Sequence, residues 1–143
     1  MLQFKSDKER EEIISSLQLN MNEEFRATMQ YICHRISAKG RDDVLADSFK
    51  SAALDEMAHI LFFSDLITKY GGTPDYTTWD IDTSNDLKAM LEKDVALEKA
   101  ARQRYEAQLD RMKHYPELVT LLTSVLGDEE EHEEEFSNHL SKK

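Results

Sequence analysis

Six side chains in this sequence have the types and the spacing to hold metal: Glu24, the pair Glu56 and His59, Glu98, and the pair Glu129 and His132. Residues three apart share one face of an α-helix, so each Glu-x-x-His pair aims a carboxylate and an imidazole the same way. Glu24 precedes Glu56 by 32 residues and Glu98 precedes Glu129 by 31. The order Glu, then Glu-x-x-His, therefore occurs twice at nearly equal intervals. Equal arms in a two-helix hairpin bring such residues to one level, and two facing hairpins make a pseudo-two-fold cluster. A Glu from each of two helices plus Glu-x-x-His from each of the other two is a dinuclear carboxylate ligand set.

The energetics point the same way. Two carboxylates about 4 Å apart repel by about 4 kcal/mol at an effective dielectric of ~20. Four in one core must protonate, spread apart or bind cations, and two divalent ions neutralise four carboxylates. Carboxylate and imidazole ligands without thiolate suit Fe or Mn and leave Zn open.

The neighbours of these residues also repeat. Asp55 precedes Glu56 and Asp128 precedes Glu129. A metal-bound histidine gives its second N–H to a carboxylate, so each Asp is expected to serve the histidine of the opposite hairpin. Tyr31 and Tyr105 lie seven residues after Glu24 and Glu98. Both are expected to face inward two turns from a ligand, where a phenol can hydrogen-bond a ligand carboxylate or give up an electron.

The elements that must position these groups are four helices, roughly 7–39, 42–70, 85–113 and 116–141, each with an apolar stripe at steps of three and four. The candidate ligands interrupt those stripes: Leu17, Met21, Glu24, Thr28, Tyr31 and Arg35 in the first helix, for example. Ser6 and Glu9 have capping-box spacing. Gly40, Gly71-Gly72-Thr73-Pro74 and Tyr115-Pro116 punctuate the chain. Short links make antiparallel hairpins of helices one-two and three-four. The segment from Gly71 to Ser84 is one long crossover, with Trp79 expected to pin it to the bundle. The expected fold is all-α, a ferritin-like four-helix bundle in one domain, 1–143. Gly127 inside the fourth helix suggests close approach of another helix.

Composition bounds the partners. The chain has 143 residues, 18 Lys+Arg against 29 Asp+Glu, and a formal net charge of −11. That balance disfavours nucleic acid and anionic membranes. One cysteine, Cys33, excludes an internal disulfide and fits a reducing compartment. No apolar run exceeds Ile60–Phe63 and no signal-length apolar stretch opens the chain, so a cytoplasmic protein is expected. The acidic run Glu130, Glu131, Glu133, Glu134 and Glu135 reads as a solvated face, and Cys33, His34, His114 and His139 as structural or surface residues.

Asn22-Glu23-Glu24 through Gln30-Tyr31, with the runs DEMAH (55–59), DVALE (94–98) and DEEEH (128–132), resembles bacterioferritin over nearly the whole chain, from about Leu17 to Leu140. The resemblance implies Glu24, Glu56, His59, Glu98, Glu129 and His132 as ligands of two iron ions per chain, with Mn or Mn/Fe as variants. Glu56 and Glu129 would bridge the metals and Glu24 and Glu98 would be terminal. It implies a ferroxidase that oxidises Fe(II) with O2 or H2O2 for iron storage or detoxification, in a homo-oligomer of at least two subunits. Bacterioferritins hold haem between two subunits through a methionine of the second helix, and Met57 matches that position. Eleven residues follow His132, where bacterioferritins have a short fifth helix that helps build their cage. None is expected here, which leaves cage and small oligomer both open. Tyr105 is similar to tyrosines of rubrerythrin-like proteins, although Ala101 stands in the next inward turn and no Cys-x-x-Cys is present. A rubrerythrin-like peroxide reductase and a non-enzymatic helical interaction module are the alternative readings.

Overall fold

The computed structural model describes residues 4–77 and 80–143. Four helices account for most of them: α1 (Asp7–Ala38), α2 (Asp43–Lys69), α3 (Leu87–Arg111) and α4 (Pro116–Ser141). Each expected helix is found, with ends within two residues of expectation. The starts are set by capping side chains. Ser6 Oγ accepts from the Glu9 N–H at 3.1 Å, Asp42 from Leu45 at 3.1 Å and Asp86 from Ala89 at 2.9 Å. These bonds satisfy donors that the first helical turn leaves free. α4 begins at Pro116, whose ring fits a first turn and lacks the N–H that would be orphaned there.

Contacts across the bundle fix the topology. From α1 to α3 the pairs run Gln30–Asp94, Tyr31–Glu98, Glu24–Tyr105 and Asn20–Gln108, so these helices are antiparallel. From α2 to α4 they run Ser48–Glu135, Asp55–His132, His59–Asp128 and Lys69–Glu117, again antiparallel. α2 and α3 therefore point the same way, and the crossover must travel the length of the bundle between them. It lies along α1. Asn22 Oδ1 accepts from the Thr77 N–H at 2.8 Å, Gln30 Oε1 from Asp82 at 3.0 Å, and Arg41 donates to the Asn85 carbonyl at 2.7 Å. Trp79, expected to pin this segment, lies outside the described residues.

Gly71 has φ +90°, a conformation that a Cβ would strain. At Gly72 a Cβ would come within 2.9 Å of Ile14 Cγ2, so the chain leaves α2 in close contact with α1. Gly127 corrects the expectation made for it: nothing lies within 4 Å of where its Cβ would be. Arg35, expected on the inner stripe, is only half-buried.

The core is split in two. One apolar cluster includes Leu17, Met21, Phe63, Ile67, Leu118 and Leu122. The other includes Ala27, Leu45, Phe49, Met90, Leu91 and Phe136. Along every helix the candidate ligands fall between the two clusters, so the fold clamps one polar layer between two apolar ones. Among the described residues no helix is long and apolar enough to cross a membrane.

Candidate metal centre

All six candidate ligands meet in that layer. Their exposures are 1% for Glu24, Glu56, His59, Glu98 and Glu129 and 4% for His132. They form two overlapping groups. Glu24, Glu56, His59 and Glu129 each offer one atom within 4.8 Å of the others, and so do Glu56, Glu98, Glu129 and His132. Glu56 and Glu129 belong to both. His59 Nδ1 lies 3.4–3.6 Å from oxygens of Glu129, Glu24 and Glu56. His132 Nδ1 lies 3.2–3.9 Å from those of Glu56, Glu98 and Glu129.

These distances lack hydrogen-bond alignment. Each of the six residues buries one atom with no hydrogen-bond partner: Glu24 Oε2, Glu56 Oε1, His59 Nδ1, Glu98 Oε2, Glu129 Oε1 and His132 Nδ1. Buried polar atoms are normally paired, and an orphan costs roughly 1–3 kcal/mol. Six convergent orphans, all good donors to a cation, fit a pair of metal ions. The set of four carboxylates and two imidazoles suits Fe or Mn.

The surroundings orient the set. His59 donates from Nε2 to Asp128 at 2.7 Å and His132 donates from Nε2 to Asp55 at 2.8 Å. Each Asp thus serves the histidine of the opposite hairpin, as its sequence position suggested. Both bonds leave Nδ1 free to face the centre. Tyr31 donates to Glu98 and Tyr105 donates to Glu24. Both phenols are fully buried. Burial first, and then the neighbouring Glu98 or Glu24, holds each phenol well above its ordinary value. They stay protonated and bind one oxygen of each outer carboxylate, leaving the other without a partner.

Without metal the cluster holds protons. Burial, then the charges of Glu24, Glu129 and Glu98, keeps Glu56 well above the usual carboxylate range. Burial, then Glu129, does the same to Glu98. Burial opposes charging of His59, but the carboxylates of Glu129, Glu24 and Asp128 around its ring outweigh it and push it to about 11. Glu129 is lowered to about 2, because His59 and the other partners outweigh its burial. Metal must displace these protons to bind.

A narrow opening between α1 and α3 reaches the layer, lined by Glu23, Ala27, Leu97, Ala100, Ala101 and Arg104 above the carboxylates. Small side chains on both helices keep the seam thin.

Sequence reasoning missed two polar clusters beside the centre. His34, read as structural or surface, is fully buried between Asp94 and Asp82, and Gln30 donates to Asp94. Asn20 and Gln108 bond each other, with Arg104 alongside. The available signal was register: Asp94 and Asn20 lie one turn before Glu98 and Glu24. Of the others, Cys33 is half-buried, His114 exposed, and His139 touches Ser48. Met57 is on the outer face, 48% exposed. In the acidic run, Glu130, Glu131, Glu134 and Glu135 are exposed, and Glu133 pairs with Arg102.

Comparison with known proteins agrees with this geometry. A family model for the ferritin-like domain matches residues 14–143. A ferritin-like diiron-carboxylate protein from Bacillus anthracis superposes with a TM-score of 0.88 at 28% identity, covering 94% of this chain and 99% of that one. The bacterioferritin of Desulfovibrio desulfuricans, with a diiron site seen in different catalytic states, gives 0.84 at 26% identity, with 92% and 80% covered. A Mycobacterium tuberculosis bacterioferritin gives 0.84 at 22% identity, with 96% and 87% covered, a likeness of fold. No curated protein matches the chain.

Proposed function

This chain belongs to the ferritin-like family, and on that premise we propose that it is a di-iron carboxylate ferroxidase, oxidising Fe(II) to Fe(III) with O2 or H2O2. The observation that carries the reading is the set of six converging buried ligand atoms without partners, one from each candidate ligand. Glu56 and Glu129 belong to both ligand groups and would be the carboxylates shared by the two ions. Glu24 with His59, and Glu98 with His132, complete the two positions. A bound pair of Fe(II) supplies two electrons, enough to reduce O2 to H2O2 or H2O2 to two waters with uptake of two protons.

The chain's own groups do the rest. Asp128 and Asp55 hold the imidazole tautomers. Tyr105 and Tyr31 fix the rotation of the outer carboxylates and are placed to give up single electrons. The two apolar clusters keep bulk water from the layer. Substrate iron enters through the seam between α1 and α3, which opens onto the carboxylates of Glu24, Glu56, Glu98 and Glu129.

Glu56→Ala with Glu129→Ala should abolish rapid Fe(II) oxidation, followed by absorbance after anaerobic loading, while circular dichroism keeps its helical signal. Unchanged oxidation in that variant sinks the assignment. Iron retained per chain separates two uses of the same centre. Many irons per chain mean storage. Two retained irons and repeated turnover with H2O2 and an electron donor mean the rubrerythrin-like cycle.

The reading includes an assembly of at least two copies. Phe25, Ile32, Ile36, Leu54, Met57 and Leu61 expose an apolar face on α1 and α2, from 38% exposed for Phe25 to 66% for Ile36. A second copy is the occupant that this reading assigns to the face. Met57 there borders a groove that also contains Ile32, Leu54, Arg35 and Lys50. A thioether, apolar walls and two cations suit a haem with its propionates. A Soret band on haem addition that Met57→Leu removes would support this, and an unchanged band would exclude Met57.

A further inference from the structure

The pseudo-two-fold relation between the hairpins also relates the two polar clusters beside the outer carboxylates, and their charges differ. Next to Glu98, Asp94 accepts from Gln30 Nε2 at 2.6 Å and from His34 Nδ1 at 2.5 Å. His34 Nε2 meets Asp82 Oδ2 at 2.8 Å, and Asp82 also holds Lys93 Nζ at 2.6 Å. Next to Glu24, the corresponding positions are Asn20 for Asp94, Gln108 for His34 and Arg104 for Gln30. Asn20 and Gln108 exchange hydrogen bonds of 2.6 and 2.8 Å. Arg104 donates Nε–H to Asn20 at 3.1 Å. Its guanidinium carbon lies 4.9 Å from the ring centre of Tyr105, the phenol that binds Glu24.

Asp94, Asp82, His34 and Lys93 sum to zero with His34 protonated and to one negative charge with it neutral. Asn20, Gln108 and Arg104 sum to one positive charge. Glu23 beside Glu24 is offset by Arg26, 3.9 Å away. Whatever the state of His34, the cluster beside Glu24 is more positive than the cluster beside Glu98. Coulombic repulsion falls with distance, so Arg104 disfavours a dication at the nearer position more than at the farther one. The opening is asymmetric too. Glu23 and Arg104 flank its Glu24 side, and Leu97, Ala100 and Ala101 form the α3 wall toward Glu98.

We infer that the two metal positions are unequal, with a resident ion held by Glu98 and His132 and an exchangeable substrate ion at Glu24 and His59, weakened by Arg104. This deepens the dinuclear reading above and rests on it. Arg104 acts through the field at the site, as an affinity-setting residue.

The test uses the metal-free full chain and Co2+. A crystal grown with one equivalent of Co2+ is expected to show anomalous density mainly at Glu98–His132. Titration followed by visible absorption is expected to resolve two steps differing by at least about tenfold. Arg104→Gln should strengthen the second step by about tenfold and leave the first unchanged. Equal occupancy, or density mainly at Glu24–His59, overturns the inference, and this result from the wild-type protein stands even if the variant does not fold. A folded Arg104→Gln protein with unchanged steps overturns the role of Arg104. Co2+ bound at neither position overturns the dinuclear reading itself and this inference with it.

Discussion

At the level of the ligands the hairpins α1–α2 and α3–α4 are interchangeable: each supplies Glu, Glu-x-x-His, a tyrosine and an aspartate for its partner's histidine. One position further round each helix the likeness ends. In register with the ligands, Phe25 stands against Lys99, Ile32 against Glu106, Ile36 against Asp110, Met57 against Glu130, Leu61 against Glu134 and Phe62 against Glu135. All of these residues are exposed. The inner faces match because removing one buried carboxylate or imidazole strands its partners in a low dielectric. The outer faces answer only to what covers them. The outer face of α3–α4 is mostly acidic and that of α1–α2 is apolar, the face assigned above to a second copy.

The difference can be erased by giving α1–α2 the residues of its mate. Ile32→Glu, Met57→Glu and Leu61→Glu together place three charges on the proposed contact. Burying unpaired charge costs several kcal/mol per group, so self-association should weaken by about 10⁴-fold or more. Light scattering after size exclusion should then give a monomer mass with unchanged helical dichroism. Native mass in the triple variant would mean that another face joins the subunits.

A smaller effect separates the polar layer from the apolar clusters on either side of it. Glu56 and Glu98 have folded values raised above their ordinary 4.5. The folded chain then binds more protons than the unfolded one from about pH 4.5 up to those raised values, so stability falls as pH rises through that window. His59 is raised from 6.5 to about 11. Its contribution is complete below 6.5 and is lost as pH climbs toward 11. Both slopes have the same sign. Glu129, lowered to about 2, has the opposite slope, confined to acid pH below its ordinary 4.5. Metal-free protein in chelator should therefore melt at progressively lower temperature from pH 5 to about 9. Metal at a thousandfold excess over its dissociation constant should add about 4 kcal/mol and flatten that dependence. A metal-free protein whose melting is flat over this range would mean that the six side chains are solvated.

The helices and the ligand layer were legible because buried polar residues at helical spacing break an apolar stripe, and a stripe is a local pattern. Asp55 and Asp128 were legible through the repeat. The His34–Asp94–Asp82 cluster was not, since its members are 48 and 60 residues apart in sequence and Asp82 lies in a crossover without any period. Arg104 was invisible for a related reason: an arginine on a helix looks solvated until the fold sets its Nε–H on Asn20, 84 residues away in sequence. The outward contrast between the hairpins could have been read by aligning them on Glu24 and Glu98. Attention to the inner stripes alone passes over it.

The smallest effect concerns a position where the hairpins differ and one of them carries a helical glycine. In register, Leu54 of α2 corresponds to Gly127 of α4, two residues before a glutamate shared by both ligand groups in each case. A close approach of another helix would have required the glycine, yet a Cβ at 127 meets nothing within 4 Å, and the residue is helical with no positive φ. Glycine inside a helix costs about 1 kcal/mol relative to alanine through backbone entropy. Gly127→Ala should thus raise the melting temperature by about 3–4 °C and leave metal binding unchanged. Gly72→Ala is the control of opposite sign, because its Cβ would sit 2.9 Å from Ile14 Cγ2 and 3.1 Å from Ile67 Cγ2. A fall in melting temperature for Gly127→Ala would show that α4 is approached at this point in the assembled protein. That would place a subunit contact on the acidic hairpin as well as on the apolar one.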